Sequence, residues 1–140
     1  MPAIIRELIR RDISVKVEGV VKVFDRSALA SELREYVLTD KIEEELKRIL
    51  DTYTSVSDSI RRGGHSRDVC GIWLSGFFGS GKSHFAKILG YLLQNDVVAA
   101  GASETCIDLF AKHLTDTSRG RDIRLRLAEV AKTTVARTVA

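Results

Sequence analysis

Apolar and polar positions repeat with two different periods along this chain, and the changes of period mark its elements. Residues 3–11 place Ile4, Ile5, Leu8 and Ile9 on one face of a short amphipathic helix. Between Ser14 and Phe24 the period drops to two. Val15 and Val17 alternate with Lys16 and Glu18, and Val21 and Val23 flank Lys22. Gly19 interrupts the alternation, which predicts two short strands or one bulged strand. Ser27 suits the N-cap of a helix through Tyr36 with Leu29 and Leu33 inward. Thr39 or Asp40 suits the start of a second helix to about Tyr53, with Ile42, Leu46, Ile49 and Leu50 as its apolar stripe. On that helix Glu43–Lys47 and Glu44–Arg48 stand at the i,i+4 spacing of favourable ion pairs.

Residues 54–68 are polar around Gly63 and Gly64, which predicts a flexible connection. Residues 69–75 form a short apolar run of the kind found in a buried parallel strand. Phe85, Ile88, Leu89, Leu92 and Leu93 then repeat at helical spacing, predicting a helix from Lys82 to about Gln94. Further helices are predicted over 103–114, around Ile107, Phe110 and Leu114, and over 121–132, around Ile123, Leu127 and Val130. A loop separates them, and residues 133–140 look like the start of another strand.

Between the apolar run and the helix at Lys82 lies Gly76-Phe-Phe-Gly-Ser-Gly-Lys82-Ser83, which fits the Walker A pattern of a phosphate-binding P-loop. Glycines at 76, 79 and 81 let the backbone turn its N–H groups toward one point, where triphosphate charge can collect. A helix beginning at Lys82 adds the positive end of its dipole. Lys82 is the candidate catalytic residue, bridging β and γ phosphates. The Ser83 hydroxyl is the candidate magnesium ligand. The candidate binding set is therefore Gly76, Phe77, Phe78, Gly79, Ser80, Gly81, Lys82 and Ser83, with ATP and Mg2+ as cofactors. Phe77 and Phe78 are unusual in such a loop, and either pack on neighbouring protein or touch the nucleotide base. His84 reads as a helix-surface residue. The expected fold is α/β: a P-loop NTPase with a parallel sheet and flanking helices. It is incomplete, because no apolar strand after Ser83 ends in the acid that such a site needs. A small N-terminal α/β segment and linker occupy residues 1–68, and residues 69–140 form the first part of the NTPase domain. The chain thus reads as the N-terminal piece of a longer protein.

Composition changes this picture little. The chain has 140 residues, 44% of them hydrophobic and 29% charged, with a net charge of +3. That mild positive balance does not itself require nucleic acid. Two denser clusters, Arg61, Arg62, His65 and Arg67, then Arg119, Arg121, Arg124 and Arg126, lack the interleaved aromatics of a single-strand platform. Cys70 and Cys106 have no metal-type spacing and read as free thiols of a reducing cytoplasm. No signal peptide or bilayer-length apolar run is present.

The segment Gly71-Ile-Trp-Leu-Ser-Gly-Phe-Phe-Gly-Ser-Gly-Lys-Ser-His-Phe85, continued by Lys87-Ile-Leu-Gly-Tyr-Leu-Leu93, resembles the P-loop ATPases of the bacterial BREX phage-exclusion system, the BrxC and PglY-like family. Arg11-Asp-Ile13, Gly19-Val-Val-Lys-Val23 and Glu32-Leu-Arg-Glu-Tyr-Val-Leu-Thr39 are similar to that family's opening segment. The resemblance covers residues 4–95 well and 96–140 loosely. It implies a cytoplasmic ATPase that works with other phage-defence proteins, including a DNA methyltransferase. It admits contact with DNA and assembly as an oligomer, and it implies no membrane association. The isolated chain, lacking the acid, is expected to be inactive in hydrolysis. Two other readings stay open. A P-loop kinase or GTPase would need a lid or a guanine-reading tetrad, and a non-catalytic interaction fragment would bind no nucleotide.

Overall fold

Among the described residues, those at helical spacing do form helices. The computed structural model describes residues 25–63, 71–99 and 101–133. Helix α1 spans Leu29–Glu35, α2 Asp40–Arg61, α3 Lys82–Gln94, α4 Cys106–Ala111 and α5 Ser118–Thr133. The predicted helix at 3–11 and the predicted strands at 14–24 and 133–140 lie outside the described residues, apart from Thr133, which ends α5.

Helix boundaries follow local hydrogen bonding. Thr39 caps α2 by accepting from the Ile42 N–H at 3.3 Å. Ser27 does not cap α1. Its N–H and hydroxyl both donate to Asp25 Oδ1, at 2.9 and 2.7 Å, and the capping position falls to Ala28. Helix α2 runs well past Tyr53, so the first part of the expected flexible connection is helical. The reason lies in its hydroxyl residues. Thr52 and Thr54 donate to the carbonyls of Arg48 and Leu50, one turn back, at 3.0 and 2.9 Å. Their polarity is thereby absorbed within the helix. Gly63, at φ 76°, then turns the chain out of it. The expected pairs Glu43–Lys47 and Glu44–Arg48 do not form. Lys47 instead pairs with Asp51 at 2.6 Å and Arg48 with Glu45 at 2.7 Å. Helix α4 is shorter than the pattern suggested because Thr105 and Asp108 cap it reciprocally, a capping box that fixes its start.

The expected parallel sheet is not formed among the described residues. Among the described residues the only β pairing is an isolated antiparallel bridge between Val97 and Thr105. Residues 71–75 run as unpaired chain, with Ile72 and Trp73 exposed. The α/β P-loop NTPase fold is therefore not the fold of these residues, which are helical. An apolar run is compatible with a buried strand but does not specify one, because a strand also needs partners and cover on both faces. Here the helices supply most of the core, with Val98 and Leu114 added from the connections.

That core is one cluster drawing on both sides of the 54–68 stretch. It includes Leu29, Leu33, Leu50, Leu92, Phe110, Ile123, Leu127 and Val130, all buried. Each such leucine contributes about 1.5–3 kcal/mol when fully removed from water. Helix α2 lies along α5, α1 packs on α4, and α3 meets both α4 and α5. Gly120 makes the turn into α5 compact, since a Cβ there would sit 2.0 Å from the Thr115 carbonyl oxygen. No described helix is long and apolar enough to cross a membrane.

Candidate functional site at the glycine loop

Gly79 and Gly81 hold φ of 77° and 79°, the left-handed region that side chains resist. These two turns fold the loop back on itself. The Ser80 N–H donates to the Phe77 carbonyl at 3.2 Å and closes it, and the Phe85 N–H donates to Gly81 at 2.9 Å, opening α3. Gly76 must also stay small, because a Cβ there would meet Ser80 Oγ at 2.9 Å.

Lys82, the first residue of α3, reaches back across the loop. Its ammonium donates to the carbonyls of Gly76 at 2.8 Å and Phe77 at 2.6 Å, and lies 3.4 Å from Ser80 Oγ. The structure thus gathers Gly76, Phe77, Ser80 and Lys82 into one knot at the amino end of a 13-residue helix. Ser83 is exposed beside it, on the first turn. Phe77 is 91% exposed and Phe78 fully so, and neither is buried against neighbouring protein within this chain. His84 is half-buried rather than on the surface, edge-on to the Tyr36 ring at 5.0 Å.

The loop borders a cavity of about 540 Å³. Its other walls are the first turns of α2, through Lys41, Ile42, Glu45, Arg48 and Ile49, and the segment Ile72, Trp73 and Leu74. Three cations, Lys41, Arg48 and Lys82, face one carboxylate, Glu45. Arg48 already holds that carboxylate, through Nε at 3.0 Å and a terminal nitrogen at 2.7 Å. The balance favours an anion. Among the described residues no group of three His, Cys, Asp or Glu side chains could hold a metal ion.

The arginine cluster of α5 is committed to the fold. Arg124 donates to the carbonyls of Ala111, at the end of α4, and of Leu114 and Thr115 beyond it, Arg126 to Asp51 and Glu129, and Arg119 to the Asp40 carbonyl. Arg121 lies 3.4 Å from Asp116. Cys106 is buried, which pushes its thiol up to about 11 and keeps it protonated at neutral pH.

Two buried charges were not legible in the sequence. Lys87 is 2% exposed, and its ammonium lies 2.7 Å from Glu32 of α1, in a contact not aligned as a hydrogen bond. Glu43, also 2% exposed, accepts from the Thr115 hydroxyl at 3.0 Å. The one available signal was position: Lys87 adjoins the apolar Ile88 and Leu89, and Glu43 adjoins Ile42. No family model matches the chain, and no solved structure matches it.

Proposed function

We propose that the chain binds Mg-ATP through residues 76–83, as the nucleotide-binding part of a cytoplasmic anti-phage ATPase of the BREX kind. The observation that carries the binding reading is Lys82. Its ammonium is gathered over the Gly76 and Phe77 carbonyls on a glycine-turned loop that opens a helix. A cation held by neutral carbonyls gains when a phosphate oxygen replaces them, because the phosphate brings a full opposite charge where the carbonyl brings only a dipole. The amide groups of the first helical turn and the dipole of α3 act in the same direction.

The residues present fit the ligand. A cavity of about 540 Å³ lies within the range of small-molecule sites and carries an excess of cations. Magnesium keeps most of its ligands as water and phosphate oxygen, and the Ser83 hydroxyl would supply one ligand from the protein. When bound, the ion would neutralise phosphate charge. The phage-defence setting, the methyltransferase and other defence proteins as partners, and the cytoplasmic location rest on the sequence resemblance over residues 4–95 alone.

Calorimetric titration with Mg-ATP tests the binding. Lys82→Ala should lower affinity about ten-fold to a hundred-fold, the worth of hydrogen bonds to a charged group, with thermal unfolding still cooperative. Ser83→Ala should flatten the magnesium dependence of ATP affinity. Equal ATP affinity in the wild-type and Lys82→Ala chains would overturn the reading.

A further inference from the structure

We infer that Trp73 is the stacking surface for the nucleobase, so that the cavity between the glycine loop and α2 takes a whole nucleoside triphosphate rather than phosphate alone. The inference rests on the glycine-loop reading and extends it from the phosphates to the rest of the ligand. Trp73 and Lys82 line the same cavity. The Trp73 side chain is 89% exposed although it is the largest apolar residue in the chain's composition, and no described helix covers it. Ile72, Trp73 and Phe77 are all exposed and line this one cavity, and apolar surface gathered in this way marks a binding site more than a lone exposed residue does. Ile42, Ile49 and Phe85 supply apolar wall, as a flat aromatic base requires, while Lys41 and Lys82 supply charge for the phosphates.

The two phenylalanines of the loop divide in the same light. Phe77 lines the cavity, whereas Phe78 does not. Base contact was one of two readings left open for the loop phenylalanines; Phe77 lines the cavity beside Trp73, and the indole offers the larger stacking face. Stacking on an aromatic face is tolerant of which base is presented. Hydrogen-bond reading of the base is weak here, because the Glu45 carboxylate is already held by Arg48.

Trp73 is the chain's one tryptophan, so its fluorescence reports this wall alone. The test compares Mg-ATP with Mg-tripolyphosphate, which carries the phosphates without a base, by calorimetry and by tryptophan emission. Both ligands should bind in a Lys82-dependent manner, and only ATP should change the emission. ATP should bind about ten-fold tighter or more, the scale of one base–aromatic stack. Trp73→Ala should erase that advantage and leave tripolyphosphate affinity unchanged, and Trp73→Phe should keep most of it. Equal affinities for the two ligands, or an ATP advantage that survives Trp73→Ala, would overturn the inference while the loop reading stands. If neither ligand binds, the loop reading falls and this inference falls with it.

Discussion

Asp51 ties α2 to α5. Its carboxylate accepts from Lys47 at 2.6 Å on its own helix and from Arg126 at 2.7 Å on the other. The hydrogen bond from Lys47 holds the carboxyl below its ordinary value; burial opposes it, and the hydrogen bond from Arg126 adds to the lowering. A carboxyl lowered by folding stabilises the native state above its unfolded pKa, and the contribution disappears as pH falls through the folded value. Asp51 is about a third exposed, so its share is about 1 kcal/mol or less. Urea unfolding of the wild-type and Asp51→Asn chains should therefore differ near neutral pH. The difference should close as pH drops below the usual carboxylate range. A gap that stays constant down to strongly acid pH would show that the pairing contributes no charge-dependent stability. Residue-level chemistry of this sort was half legible in sequence. The glycines at 79 and 81 and the lysine at 82 announced a turned loop with a cation, because those residue types have few other uses in that order. The partners of Glu43 and Lys87, and Arg126 as a partner of Asp51, could not be read, since each lies on another element; Lys47 stands at the i,i+4 spacing from Asp51, but the sequence offered Glu43 at the same spacing.

At the scale of elements, the helices among the described residues were legible, and the strand expected at 69–75 is not formed over its described part, 71–75. Helical spacing is a local property, so α3 was read with its observed ends, and Leu29, Leu33, Ile123, Leu127 and Val130 were all assigned to the core where they now sit. Residues 69–75 carried no alternation that could distinguish a covered strand from an extended approach to the loop. The contact between α1 and α3 adds a feature that periodicity hides. Lys87 is buried, and its charge is answered by Glu32 across that contact. Removing one partner leaves an uncompensated interior charge, at a cost of about 3–5 kcal/mol, whereas replacing both with apolar groups is close to neutral. Glu32→Ala should lower unfolding free energy by that amount in urea titrations. The double variant Glu32→Ala with Lys87→Met should recover most of it. A loss under about 1 kcal/mol for the single variant would mean that water reaches Lys87 and that the pair is not a buried one.

On the scale of the whole molecule, the cavity sits where two helices share a support but scarcely touch. Helices α2 and α3 both pack on α5 and make little direct contact with each other. The space between them is closed by the segment through Trp73 and by the glycine loop. A ligand that fills this space bridges α2 to α3, whereas one that occupies only the loop does not. Hydrogen exchange separates the two cases. Mg-ATP should slow backbone exchange both at residues 76–83 and at residues 41–49 of α2, and Mg-tripolyphosphate should slow it at 76–83 alone. A ligand at a hundred times its Kd leaves about 1% of the chain free. Amides that exchange only from the free form should then slow by about 100-fold. Protection of 41–49 must also vanish in Trp73→Ala if the base is what reaches across. Protection limited to 76–83 with either ligand would place ATP on the loop with its base in solvent, and the α2 wall would then be a surface of the fold with no part in binding.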